Sequence, residues 1–523
     1  MHPLFCQEDI LAQIFGKLVD ELDDIIDEDE DEKKRDLRTA MLNAALTSRR
    51  MQELALDALW RILDSLYPLF RLTKSFNSLG RDLSSLTGVV TQDEVMRIRA
   101  YACRVRKLCY DGADYTPIHP TAYLRLSRIM GSPLLPLLRE LKWFSKDLGI
   151  QLSSLVTSTL VDVDLSLSHT ERDEEEIEKF RLEHSVSQRE AVQIVLQDLA
   201  DVVPNLQGLT LREVLPGTSF KAVHNFKRLR ELFIATECHW NPYRLTASVS
   251  YDDLSAFSQM DSLRRLVVNV DDIRLSYDAT PLTFRALREF KLTGPPSKVA
   301  EVLRLVQSAA GLRQVALFLG TEARLKLDYY HSLYRYLSLS TLTHMYLELP
   351  TGLQRRNVDA GITLDVSTLI PPLLECRRLE HFHMELTKFA EQPVLMDDDN
   401  LIQIAQAWPR LKWFCWNFAL DRERRPSIRG LQAFTVHCPR LRVLMIAFDG
   451  NVPYPASDEP PRSGHGLRTL VPFGPELNDV ADTAQWLYTL FPNIEHITST
   501  DRKWGEVLKV VNALRRASSR ARG

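Results

Sequence analysis

A chain of 523 residues exceeds what one ordinary core can bury, so it holds two or more domains or one elongated repeat array. Its 45% apolar and 26% charged residues are ordinary for a soluble folded protein. A net charge of −4 supplies no field that would gather nucleic acid or an acidic membrane surface, so neither is expected as a partner. The cysteines Cys6, Cys103, Cys109, Cys238, Cys376, Cys415 and Cys438 are scattered, odd in number and free of CxxC pairs. That argues against a disulfide framework or a structural zinc site and for a reducing compartment. MHPLFCQEDILAQIF lacks the basic start and long apolar run of a signal peptide. No stretch of about 18 apolar residues occurs, so the expectation is an intracellular protein, cytoplasmic or nuclear.

In chain order, QEDILAQIFGKLVDEL places Ile10, Leu11, Ile14, Phe15 and Leu18 at helical spacing, with acidic residues near the start. An acidic spacer over residues 20–36 has no core face and reads as solvated. AMLNAALTSRRMQELALDALWRIL, residues 40–63, continues the helical pattern. Met41, Leu42, Ala45 and Leu46 form one stripe. After the Arg49-Arg50 pair come Met51, Leu54, Ala55, Leu59 and Leu63, with Trp60 beside Leu59. Three short helices over residues 1–66 cannot bury that much apolar surface among themselves. Surplus of this kind usually means a partner.

From about residue 105 an apolar-x-x-apolar-x-apolar motif recurs. Clear copies begin at Leu206, Leu229, Leu263, Leu287, Leu312, Leu342, Leu379, Leu411 and Leu441. Weaker ones begin at Val105, Leu138, Leu160, Leu467 and Ile494, and the acidic ERDEEEIEK stretch interrupts the count. The clear copies lie mostly 23 to 37 residues apart, near and above the leucine-rich-repeat range. Helical patterns ending in Pro or Cys-Pro stand between several of them, as in DDNLIQIAQAWPRL. Such a unit cannot bury its apolar face alone, so neighbours must stack. The expected fold is α/β: an irregular leucine-rich-repeat-like solenoid over residues 67–500, parallel strands on the concave face and helices outside. Protruding loops are expected at 349–361 and 451–466, and a C-terminal helix with a basic, disordered tail at 501–523.

Sites of chemistry are scarce. GxxxxGK[ST], GxSxG and HExxH are all absent. His381 and His383 in EHFHME are the best metal candidates, with Glu385 on the same face. A zinc site needs three or four well-placed ligands, so a solvated strand or a partner contact is the stronger reading, and no metal or cofactor is expected. In LKWFCWNF, Phe414 and Trp416 read as core and Trp413 as a partner anchor. Base stacking on these rings would need a basic surround, which the net charge does not offer. Ser518, in RRAS, resembles a basophilic kinase site. By alternation the concave face carries Arg212, Asn269, Lys291, Glu348, His383, Glu385, Trp413 and Asn417, the candidate substrate-binding residues. Their mixed charge names no ligand.

The N-terminal segment resembles an F-box, in particular the divergent kind in the large leucine-rich-repeat F-box families of basidiomycete fungi. EDILAQIFGKL, ALTSRRM, ALDALWRIL and LYPLFRL carry the resemblance. The opening Leu-Pro is missing, Met51 takes the usual Trp position, and the acidic spacer is inserted. The resemblance implies a non-enzymatic substrate receptor of a cullin–RING ubiquitin ligase. It would bind a Skp-type adaptor through the F-box and a protein substrate through the repeats. Carried over, Ile10, Leu11, Ile14, Phe15 and Leu18 lie on the first helix, and Leu42, Leu46, Arg49, Leu54, Leu59 and Trp60 complete the fold and its adaptor face. The rival reading is a non-catalytic repeat scaffold whose N-terminal helices only cap the solenoid.

Overall fold

The computed structural model describes residues 8–25, 31–78, 83–112, 117–131, 133–145, 148–167, 174–234, 247–275, 279–306, 311–320, 333–337, 340–348, 365–385, 395–417, 425–453, 464–473 and 477–522. They fall into two compact units, Met1–Glu237 with Tyr243–Ala247, and Cys238–Pro242 with Ser248–Gly523. The helical segment thus belongs to one unit with the first repeats. Among the described residues, parallel strands follow one another in chain order within each unit, six in the first and nine in the second, with helices packed on one face of them.

The first unit opens with α1 (Glu8–Asp23), α2 (Asp31–Thr47) and α3 (Arg49–Arg61). Leu11, Phe15 and Val19 of α1 pack on Met41 and Ala45 of α2 and on Ala55 and Ala58 of α3. The parallel strands follow: β1 (Ile62–Leu63), β2 (Lys107–Asp111), β3 (Glu140–Phe144), β4 (Asp162–Ser166), β5 (Gly208–Arg212) and β6 (Glu231–Ile234). Leu108, Leu141, Val163, Leu209 and Leu232 share one rung, each 0–2% exposed. β1 lies inside the segment expected to be purely helical, and its Ile62 pairs with Lys107. The acidic ERDEEEIEK stretch does not break the sheet. From Glu174 on it is the start of a 29-residue helix, Glu174–Val202, which lies between β4 and its neighbour β5 in the chain.

The second unit continues with β7 (Arg265–Asn269), β8 (Glu289–Gly294), β9 (Gln314–Leu319), β10 (His344–Glu348), β11 (His381–Glu385), β12 (Trp413–Asn417), β13 (Val443–Ile446), β14 (Thr469–Pro472) and β15 (His496–Ile497). Each begins two residues after the leucine or isoleucine that opens its motif. Two helix-side rungs run across it: Leu266, Phe290, Val315, Met345, Phe382, Phe414 and Leu444, and Val268, Leu292, Leu317, Leu347, Met384, Trp416 and Ile446. The helix–Pro–Leu pattern has a local cause. A residue before proline is pushed out of the helical region. Trp408, Cys438 and Phe491, each preceding a proline, leave their helices at φ −119 ψ 65, φ −119 ψ 64 and φ −135 ψ 69. Each helix then stops in time for the next strand.

The basic C-terminal stretch, expected to be disordered, lies in a helix, Lys503–Arg522, anchored by buried Trp504, Val507 and Val511. The expected loops fall largely outside the described residues, which exclude 349–364 and 454–463. Among the described residues, Cys103, Cys109, Cys376, Cys415 and Cys438 are free thiols, and no helix is long and apolar enough to cross a membrane. Cys6 and Cys238 lie outside them.

Candidate functional site: the open sheet face and the helical domain

Alternation places all eight candidate substrate-binding residues on the sheet face opposite the helices. In the second unit that face carries three rows. The middle row reads Val267, Lys291, Ala316, Tyr346, His383, Cys415 and Met445. The row toward the strand ends reads Asn269, Thr293, Phe318, Glu348, Glu385 and Asn417. Side chains on adjacent strands reach one another here. Lys291 Nζ sits 4.1 Å from the centre of the Phe318 ring, Phe318 stacks on Tyr346 at 5.0 Å, and Tyr346 stacks on His383 at 4.3 Å. The Tyr346 hydroxyl donates to Glu348 Oε2 at 3.0 Å. Glu385 joins His383 Nε2 at 3.3 Å and accepts from Asn417 Nδ2 at 3.0 Å.

Two residues of this face expected to be exposed are buried. Asn269 is 3% and Glu348 7% exposed. Asn269 instead holds a turn: its Oδ1 accepts from the Asp271 amide at 2.7 Å and its Nδ2 donates to Asp271 Oδ2 at 3.0 Å. Arg212, in the first unit, is engaged by Asp164 through two hydrogen bonds of 3.0 and 2.9 Å. Burial pushes the Glu348 carboxyl above its ordinary range, with the Glu385 charge adding to it. Burial also lowers Lys291, with Arg265 adding to it, and lowers His383 against the pull of Glu385.

The row at the strand starts carries His344, His381 and Trp413 side by side. His344 and His381 stack at 4.3 Å with their planes 10° apart. Both imidazoles are lowered, by burial first, and His381 also by His344. His381 and His383 therefore do not converge: one stacks within its row, the other turns to Glu385. Among the described residues no group of three His, Cys, Asp or Glu is placed to hold a metal ion. Trp413 is half-buried, while Phe414 and Trp416 are 0% and 1% exposed.

One feature escaped the sequence reading. The residue just before each strand start forms a backbone ladder of its own. Arg264, Arg288, Arg313, Thr343, Glu380, Lys412, Arg442, Arg468 and Glu495 are linked by amide-to-carbonyl bonds of 2.7–2.9 Å. Arg264, Arg288, Arg313, Arg442 and Arg468 are exposed. Its signal was the Leu-Arg opening of LRRLVV, LREFKL, LRQVAL, LRVLMI and LRTLVP. A net charge averaged over the whole chain hides such an edge, so it no longer argues against a polyanionic partner.

In the helical domain the candidate residues divide by depth. Leu11 and Phe15 are core, at 2% and 4% exposed. Ile10, Leu18, Leu54, Leu59 and Trp60 are half-buried, and Arg49 is exposed. The Trp60 ring packs against Tyr101, centroids 4.6 Å apart and planes tilted by 39°. Leu46 is 78% exposed, Ile14 46% and Leu42 45%. The expected single stripe of α2 therefore splits. Met41 and Ala45 are four residues apart and share the buried face, while Leu42 and Leu46 lie about 100° round the helix. Ser518 is half-buried and its hydroxyl oxygen accepts from Tyr488 at 2.5 Å.

These elements define a helix–strand repeat protein of the leucine-rich-repeat type with an N-terminal helical domain. No family model and no curated protein matches the chain. Solved structures similar to it include the TLR13–ssRNA13 complex, at 14% identity over 77% of this chain and 53% of that one, TM-score 0.37. The leucine-rich repeat-containing protein LegL7 from Legionella pneumophila is similar at 11% identity over 71% of this chain and 98% of that one, TM-score 0.31. The yeast Rad7–Elc1 complex is similar at 13% identity over 90% of this chain and 93% of that one, TM-score 0.34. The strand pairing establishes the fold class without them.

Proposed function

We propose that the chain is a non-catalytic receptor of an SCF-type ubiquitin ligase. Its N-terminal helices bind a Skp-type adaptor and its repeats hold a protein substrate. The observation that carries this reading is the surplus apolar surface of the helical domain. Its core is closed by Leu11, Phe15, Met41, Ala45, Ala55 and Ala58, yet Ile14, Leu42 and Leu46 stand in solvent. An aliphatic side chain gains about 1.5–3 kcal/mol on full burial, so three of them supply a useful share of a helix-on-helix dock. A receptor of this kind acts by proximity, presenting its target to another subunit's chemistry.

The test is a pull-down of the full chain by purified Skp-type adaptor. Charged substitutions at Leu11 or Phe15 are poor probes, because both are core and the domain would unfold. Ile14→Asp, Leu42→Asp and Leu46→Asp are the informative variants. The expected outcome is loss of adaptor binding with an unchanged melting midpoint. Retained binding in all three removes these side chains from the adaptor face, and an unmodified chain that is not captured sinks the adaptor reading.

A second reading, in which the helices only cap the repeats, has its own support. Arg104, just before β2, pairs with Glu53 and Asp57 of α3, and Lys107 of β2 with Asp23 of α1. Burial alone would lower Lys107, but its bond to Asp23 and the nearby Glu140 raise it. If no adaptor binds the unmodified chain, this reading replaces the first.

A further inference from the structure

Beside the last strands, Arg442, Gly466, Arg468, Asn493, Glu495 and Arg515 line a cleft of about 380 Å³. Two of its guanidiniums are held in place from behind by backbone. Arg442 Nη1 donates to the Gly466 carbonyl at 2.5 Å. Arg515 donates through Nε to Pro492 O at 2.8 Å, through Nη2 to Ile494 O at 2.5 Å and through Nη1 to Asn512 Oδ1 at 3.1 Å. Gly466 has a part in this, since a Cβ there would collide with the Arg442 guanidinium. Among the described residues, the one carboxylate lining the cleft is Glu495, at 3.9 Å from Arg468 Nη1, with both side chains largely exposed. Three cations therefore face one anion across a shared cavity.

The cleft ends the basic edge. Arg442 and Arg468 are successive rungs of the ladder that also carries Arg264, Arg288 and Arg313, while Lys412 on it is paired with Glu380 at 2.6 Å. Exposed Arg410 and Arg440 lie two residues before Lys412 and Arg442. A guanidinium presents a planar fork of N–H donors that matches the paired oxygens of a carboxylate or phosphate. Rungs of a sheet repeat about every 4.8 Å, close enough for one extended segment to meet several in turn.

We infer that this edge, centred on the Arg442–Arg468–Arg515 cleft, is a binding site for the oxyanions of an acidic segment of a partner protein. The inference rests on the substrate-holding half of the proposed function and not on the adaptor. Single-stranded nucleic acid is the weaker match. It needs ring faces on which its bases can stack, and among the described residues lining the cleft none is aromatic.

The test uses the full chain and fluorescence anisotropy with short labelled peptides: one rich in Asp and Glu, one bearing phosphoserines, one neutral. An oligouridylate is run in parallel. The expected result is binding of at least one acidic peptide and not the neutral one. Binding should be strong at about 0.1 M salt, where charges are felt over about 10 Å, and weak at about 1 M, where that length is about 3 Å. Which acidic peptide binds tighter assigns the oxyanion to carboxylate or to phosphate. The Arg442→Glu, Arg468→Glu double variant should bind about tenfold more weakly, equivalent to about 1.4 kcal/mol. Arg304→Glu, on an exposed position of the helical layer, should bind as the parent does. Arg442→Gln with Arg468→Gln repeats the test should charge reversal lower the melting midpoint. The inference is overturned by acidic peptides that fail to bind at low salt, by double variants that bind normally, or by an equal loss in Arg304→Glu. Tighter binding of the oligouridylate than of either peptide overturns it in favour of nucleic acid. Adaptor binding does not enter the assay, so its failure would be read separately.

Discussion

The stacked imidazoles of His344 and His381 tie a pair of side chains to the acidity of the medium. Both titrate below the ordinary histidine value of about 6.5: burial disfavours the cation in each, His344 and Lys412 add to it at His381, and Lys412 adds to it at His344. Through the window between that lowered value and about 6.5 the unfolded chain binds more protons than the folded one. Stability therefore falls as the pH drops through that window. His383 and His465, also lowered by burial, act with the same sign. Glu348 acts oppositely. Its raised carboxyl takes a proton more readily when folded, so its contribution grows as pH falls through the window just above its ordinary value. The histidine window lies higher, so the first effect of acidification is a loss. Measured by chemical denaturation at steps from about pH 7 to about pH 5, stability should decline, and His381→Asn should flatten the decline. An unchanged slope in that variant would remove the pair from the account.

Helices and strands of this chain are set by short-range signals, and those signals were readable. Each strand starts two residues after its motif's leucine because period-two alternation puts residues of fixed identity on the helix side. β1 was invisible, since two residues, Ile62 and Leu63, cannot show a period and sit at the end of the α3 pattern. The open face was legible as a face but not as a surface. Alternation gives the side a residue takes, whereas the burial of Asn269 and Glu348 comes from neighbours on other strands and from a turn. The basic edge was hidden for a different reason: it is a column across repeats, and the net charge sums it away. Helix starts are a case where local chemistry has a measurable weight. Asp397 caps Asp398–Ala407, its carboxylate accepting from the Asn400 amide at 3.1 Å while Asn400 returns a bond to the Asp397 amide at 3.0 Å. Asp397→Ala should cost about 1 kcal/mol by denaturant titration, the usual weight of such a cap. A change near zero would mean that packing of Leu401 and Ile404 holds the helix without it.

Across the whole chain, a sheet built from one strand per repeat has no single core. Each rung is buried only by its neighbours, so stability is a sum of local terms and nearest-neighbour terms. Phe382 is the place to see this. It is fully buried and packs on Trp408 at 4.7 Å, Trp416 at 5.5 Å and Phe414 at 5.7 Å. Phe382→Ala should cost about 3–5 kcal/mol, the range for an aromatic removed from a packed interior. In a compact single core that loss would spread over the molecule. Here it should stay local, because β5 in the first unit shares no rung with β11. Hydrogen exchange on the variant should show faster opening in β11 and its partners β10 and β12, with Gly208–Arg212 protected as before. Uniform acceleration in every strand would mean that the repeats open as one cooperative body. The open-face network and the basic edge would then be lost together with any repeat. Local opening would instead let the edge at Arg442 and Arg468 stay formed while the strands around Phe382 open.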